Sequence, residues 1–154
     1  MILSVGSDHA GFRLKDTVLA AIEKLGHEYI FRGCFDENPV DFPDICRIVC
    51  QDVLDGRAEK GVMVCGSGVG AAIASNKIPG IRASVCHDIY SARQCVEHDH
   101  VNVICLGASI IGPIIAEEML AAFLNAKPSM EEHFLRRVKK LGDMDKEFKP
   151  VSAQ

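Results

Sequence analysis

One hexapeptide carries most of the chemistry open to this chain. Cys65-Gly66-Ser67-Gly68-Val69-Gly70 sets a thiol, a hydroxyl and three glycines within six residues. Glycines let a backbone turn closely around a ligand, so four or five free N–H groups can converge beside the thiol. A helix opening here would add the positive end of its dipole. Such a nest suits a phosphate, a carboxylate, a developing oxyanion or the thiolate of Cys65 itself. The plainer reading is a tight strand-to-helix turn around an inert buried cysteine. The stretch also fits the G-x-G-x-x-A dinucleotide fingerprint through Gly66, Gly68 and Ala71, with Asp88 after the next strand as a ribose-binding acid. A non-catalytic dinucleotide- or sugar-binding module is therefore the alternative from a different class. It has no need of a thiol, and its fingerprint would follow the third strand rather than the first.

Other residues gain meaning by position. Asp8-His9 ends the first apolar strand, where a carboxylate and an imidazole could bind hydroxyls and move protons; singly, they also fit a helix cap and a surface histidine. His98-Asp99-His100 closes a helix, and two histidines at i, i+2 would suit a metal only with further partners. Arg136-Arg137 can clamp an anion or solvate a helix face. The seven cysteines are odd in number and contain no Cys-x-x-Cys pair, so most read as small buried hydrophobes.

The elements that must hold these residues follow from periodicity. Apolar strands are expected at Ile2–Gly6, Glu28–Arg32, Gly61–Val64, Arg82–Cys86 and Val101–Leu106. Helical spacing covers Lys15–Leu25, Asp44–Leu54, Ala71–Lys77, Tyr90–His98, Gly112–Leu124 and Met130–Leu141, with Gly26 closing the first helix. Five strand–helix alternations with short connections imply a three-layer α/β/α sandwich around a five-stranded parallel, Rossmann-like sheet. Ligands then bind at the carboxyl ends of the strands. The 154 residues read as one domain over 1–141 with a tail from 142 to 154, a segment that has no clear period.

Composition narrows the class. With 17 basic against 21 acidic residues the net charge is −4, which disfavours a nucleic-acid face. No uncharged apolar run nears the roughly 18–20 residues a bilayer requires, and Met1 leads into the first strand without signal-peptide features. A cytoplasmic protein is expected.

Taken in order, the segments resemble the sugar-phosphate isomerase family of type B ribose-5-phosphate isomerases and galactose-6-phosphate isomerase subunits. The matching pieces are Gly6-Ser7-Asp8-His9-Ala10-Gly11-Phe12, Val40-Asp41-Phe42-Pro43-Asp44, the cysteine loop, and Ala74-Ser75-Asn76-Lys77. They continue through Pro79-Gly80-Ile81-Arg82-Ala83, Tyr90-Ser91-Ala92-Arg93, Glu97-His98 and Asn102-Val103. The resemblance implies an aldose–ketose isomerase, with ribose 5-phosphate to ribulose 5-phosphate as the default reaction and other tetrose, pentose or hexose substrates as alternatives. It makes Cys65 the base that moves a proton between C1 and C2, His98 the ring opener and Ser67 an assisting hydroxyl. Asp8, His9, Gly66, Gly68, Val69, Gly70, Asp99 and Arg137 take substrate-binding positions. No metal or organic cofactor is implied, and the site is shared between two chains of a homodimer or homotetramer.

Three departures concern the substrate's anionic end. Where the family commonly has Gly-x-Arg after the fifth strand, this chain has Gly107-Ala108-Ser109. Where it has Gly-Gly-Arg-His, this chain has Glu131-Glu132-His133-Phe134, which leaves Arg137 and Arg136 from the usual basic cluster. The usual His-Asn pair is His98-Asp99. Each charge-assisted phosphate contact is worth roughly 1.5–3 kcal/mol. Weaker use of ribose 5-phosphate is therefore expected, with the phosphate held by His9, His133 and Arg137, or a different sugar as substrate.

Overall fold

The computed structural model describes residues 1–147; the last seven residues of the expected tail lie outside it. Five strands, β1 (Ile2–Ser7), β2 (Glu28–Phe31), β3 (Lys60–Cys65), β4 (Ala83–Val85) and β5 (Val103–Gly107), alternate with five helices. These are α1 (Phe12–Lys24), α2 (Phe42–Leu54), α3 (Val69–Ser75), α4 (Ile89–Asp99) and α5 (Pro113–Asn125); α6 (Glu132–Glu147) follows. All strand pairs are parallel, in the order β2-β1-β3-β5-β4.

That order decides which helix covers which face. From β1 to β2 the chain steps toward one edge, the next two crossovers step the opposite way, and β4 to β5 steps back. Right-handed crossovers then place α1 and α4 on one face and α2 and α3 on the other. The buried clusters divide accordingly. One joins Leu14, Val18 and Ile22 of α1 to Val96 of α4 and Met119, Leu120 and Phe123 of α5; the other gathers Ile45, Cys46, Val49 and Cys50 of α2 with Ala71 and Ala72 of α3. Strand side chains alternate between them. Val62 and Val64 of β3 enter the first cluster, while Met63 and Cys65 enter the second. Cys65 therefore faces the α2–α3 side.

Most expected elements fall within three residues of their places, but the last helix does not stop at Leu141. α6 passes Gly142 and continues to Glu147. A mid-helix glycine costs only about 1 kcal/mol. Here Lys139 pairs with Asp143 across it at 2.7 Å, and Asp145 accepts the Gly80 N–H at 2.9 Å. No residue of α6 is buried among those described.

Candidate active site

β3 delivers Cys65 to the carboxyl edge of the sheet, where the chain must reverse at once. Gly68 achieves the reversal with φ +78 and ψ −19, a left-handed conformation open to glycine. Its N–H then donates to Cys65 Sγ at 3.0 Å. A Cβ at Gly68 would stand 2.8 Å from Val85 Cγ2 and 3.0 Å from the Cys105 carbonyl. Cys65 is 5% exposed, enough for a sulfur at the floor of a site. Ser67 is exposed, and its Oγ accepts the Val69 N–H at 3.3 Å. The sequence left all the loop's N–H groups free; two of them, on Gly68 and Val69, are committed to the loop's own side chains.

Asp8 and His9 stand beside this loop, as expected. The Asp8 N–H donates to the Val64 carbonyl at 3.1 Å, and the Ala10 methyl lies 3.4 Å from where a Gly66 Cβ would be. Asp8 is buried and accepts the Gly11 N–H at 2.8 Å; because Gly11 is itself the N-cap of α1, this bond closes the turn before the helix rather than capping it. His9 is exposed; its Nδ1 accepts the Val40 N–H at 3.3 Å, which leaves Nε2 as the free ring position. The third wall is the β5–α5 turn, where Ala108 and Ser109 donate to the Cys65 and Gly66 carbonyls at 2.8 and 2.9 Å.

Two residues on this edge escaped the sequence reading. Arg13 in the first turn of α1 donates from Nη2 to the Ala108 carbonyl at 2.6 Å. His87, just beyond β4, holds a buried and unpartnered Nε2 only 2.6 Å from where a Gly107 Cβ would be. Neither sits in a recognisable motif, so only the folded topology brings them in.

The remaining expected residues are elsewhere. A helix in a parallel βαβ unit returns to the amino edge of the sheet, and α4 is about 16 Å long at 1.5 Å per residue. His98, in its last turn, is therefore at the edge opposite Cys65. There its Nδ1 meets Gln94 Nε2 at 2.7 Å, and its ring stacks on Phe134 at 4.1 Å between centroids. Phe134 also touches His133, at 4.0 Å, and lies 5.8 Å from the Arg137 guanidinium. Arg136, Arg137 and Asp99 are exposed. His133 faces Glu131 at 3.5 Å. His100 takes no part in this group: it caps α4 with φ +52, its Nε2 against the Ser129 carbonyl. One chain thus carries the expected site residues in two separate groups, each a candidate half-site. The first holds Cys65, Ser67, Asp8 and His9; the second holds His98, Asp99, His133, Arg136 and Arg137.

The other thiols sort by environment. Burial pushes Cys46 up to about 12 and raises Cys50 and Cys105 as well. Cys86 is lowered by the neighbouring Cys95 thiol, against the opposing effect of burial.

The chain matches the ribose/galactose isomerase family over residues 3–141. It is 36% identical over 130 residues to a D-erythrulose-4-phosphate isomerase of Pectobacterium atrosepticum, covering 81% of this chain and 83% of the relative. It is also 36% identical over 125 residues to ribose-5-phosphate isomerase B of Escherichia coli, covering 81% and 84%. The solved ribose-5-phosphate isomerase B of Clostridium thermocellum superimposes with a TM-score of 0.93 at 36% identity, covering 97% of this chain and all of that one.

Proposed function

The chain belongs to the ribose/galactose isomerase family, and from that premise we propose that it interconverts a small aldose phosphate and its ketose with Cys65 as the proton carrier. It is an aldose–ketose isomerase acting on a sugar phosphate. The observation that carries the cysteine mechanism is the 3.0 Å bond from the Gly68 N–H to Cys65 Sγ at the floor of a glycine loop. That N–H holds the sulfur at the mouth of the loop, where a base must stand, and as a thiolate Cys65 acts on the substrate. That thiolate removes the proton from C2 of the open-chain aldose and returns one to C1. The loop N–H groups not committed to Cys65 and Ser67 face the negative charge that develops on the cis-enediolate oxygens. Ser67 assists at a substrate oxygen, and Asp8, His9, Gly66, Val69 and Gly70 bind the sugar around it.

His98 opens the ring of cyclic substrates, with Asp99 beside it and Arg137, joined by Arg136 and His133, at the anionic end. These groups reach Cys65 only from a second copy of the chain, so the working unit is a homodimer or a multiple of it. The unburied α6 supports the same reading, since Leu135 and Met144 expose apolar surface along it. Ribose 5-phosphate is the default substrate. A tetrose 4-phosphate is the second reading, favoured by the equal identity to an erythrulose-4-phosphate isomerase and by Ser109 and Glu131-Glu132 where the family commonly has a richer basic cluster. The deciding experiment assays a panel of aldose and ketose phosphates for interconversion. Turnover of the C4 or C5 pair and of no other fixes the substrate, and no turnover across the panel would refute the reading.

A further inference from the structure

The β5–α5 turn presses its backbone onto the cysteine loop, yet it carries no cation of its own: it reads Gly107-Ala108-Ser109-Ile110. A cation reaches it from another element. Arg13 extends from the first turn of α1, and its Nη2 donates to the Ala108 carbonyl at 2.6 Å. Ala108 itself donates to the Cys65 carbonyl at 2.8 Å. The guanidinium is therefore anchored, through one residue, to the backbone of the reactive cysteine.

That anchorage leaves its charge unanswered. A guanidinium has five N–H donors, and a neutral carbonyl occupies one without neutralising anything. Arg13 is exposed, and no carboxylate pairs with it among the described residues. Asp16, one turn along α1, lies 3.3 Å from Lys15 instead, and Asp8 is occupied by the Gly11 N–H. Apart from Arg136 and Arg137 on α6, arginines elsewhere in the chain are placed differently. Arg32 and Arg57 share Asp52, Arg93 faces Glu97, and Arg82 holds the carbonyls of Asp99 and His100. Arg13 combines a fixed position, free donors and an uncompensated charge, and His9 precedes it by about one helical turn on the same rim.

We propose that Arg13 binds the anionic end of the substrate, so that a side chain from α1 supplies the cation that the β5–α5 turn lacks. The inference rests on the isomerase reading and deepens it, because it assigns a phosphate contact to the half-site of Cys65. A planar fork held at one corner by Ala108 keeps its other edge available for two phosphate oxygens.

The test uses Arg13→Gln, which keeps a donor for Ala108 and removes the charge, and the double variant Arg13→Gln/Ser109→Arg, which returns a cation to the same turn. KM and kcat are measured for ribose 5-phosphate and erythrulose 4-phosphate, and the Kd of inorganic phosphate is measured by calorimetry. Arg13→Gln should raise both KM and the phosphate Kd by roughly 10–100-fold, as expected for losing one charge-assisted pair, with the loss falling on KM rather than kcat. The double variant should recover most of that loss. Unchanged KM and phosphate Kd in Arg13→Gln would overturn the proposal, as would a fall in kcat alone. Should the native protein turn over no sugar phosphate in the panel, the isomerase reading fails on that result. The calorimetric comparison still decides Arg13: a weakened phosphate Kd supports it, and an unmoved one removes it.

Discussion

Cys65 differs from Cys46, Cys50 and Cys105 in what surrounds it rather than in burial. Cys46, Cys50 and Cys105 are closed in by apolar neighbours that disfavour their charged forms, whereas Cys65 receives a backbone N–H and opens onto a loop that can hold an anion. Removing the sulfur should therefore remove chemistry and little else. Cys65→Ala is expected to lower kcat by at least 10²–10⁴-fold, the usual contribution of a positioned base, while melting temperature and phosphate affinity stay near those of the native protein. Activity within about tenfold of native would sink the cysteine as base. At this scale the sequence was readable where residue types cluster in one short stretch, as in the loop from Cys65 to Gly70. It was silent on Arg13 and His87, because each meets the site through a contact some 20 to 95 residues away in the chain (Gly107 for His87, Ala108 for Arg13). No local spacing encodes such a meeting.

Elements were more legible than their fastenings. Apolar periodicity placed all five strands and six helices, since burial on a sheet or along a helix stripe leaves a regular trace. Ends were less legible: α6 runs past Gly142, a residue that alone reads as a stop, where the Lys139–Asp143 pair spans it and the Gly80 N–H ties down Asp145 beyond it. Equally hidden was the fastening of α2, the helix beneath Cys65. Asp52 in its last turn accepts from Ser4 of β1 at 2.7 Å, from Arg32 after β2 at 2.7 and 3.0 Å, and from Arg57 at 2.7 Å. Burial pushes this carboxyl up, but the hydrogen bonds from Arg32, Ser4 and Arg57 outweigh it and hold it at about 2. A carboxyl lowered on folding contributes stability above its unfolded value of about 3.9, and that stability is lost as pH falls through about 2. Asp52→Asn should cost on the order of 2–3 kcal/mol at neutral pH. Denaturant titrations between pH 4 and 2 should then show a flatter decline for the variant than for the native protein. Parallel curves would mean that Asp52 does not couple to acid unfolding.

For the whole molecule, the parallel topology separates the half-sites more firmly than any side chain could join them. β3 carries Cys65 to one edge of the sheet while α4 returns His98 to the other, so no rotamer change within one chain brings the two together. In the proposed homodimer, a two-fold pair of chains would set the second half-site of each copy against the first half-site of its partner and close with two equivalent sites. This assembly makes a quantitative prediction from two dead proteins. Cys65→Ala lacks the base in both sites, and His98→Asn lacks the ring opener in both, so each alone should fail on ribose 5-phosphate. Dissociated, mixed in equal amounts and reassociated, half of the dimers are hybrids. In each hybrid one site receives Cys65 from one chain and His98 from the other, while its second site lacks both. Activity on ribose 5-phosphate should therefore return to about a quarter of the native value. Erythrose 4-phosphate cannot close a furanose ring because its C4 oxygen is esterified, so His98→Asn should retain most of its activity on that substrate even before mixing. A mixture that stays inactive on the pentose, with exchange of chains verified by mass, would place both residues in one chain's site and end the shared-site account.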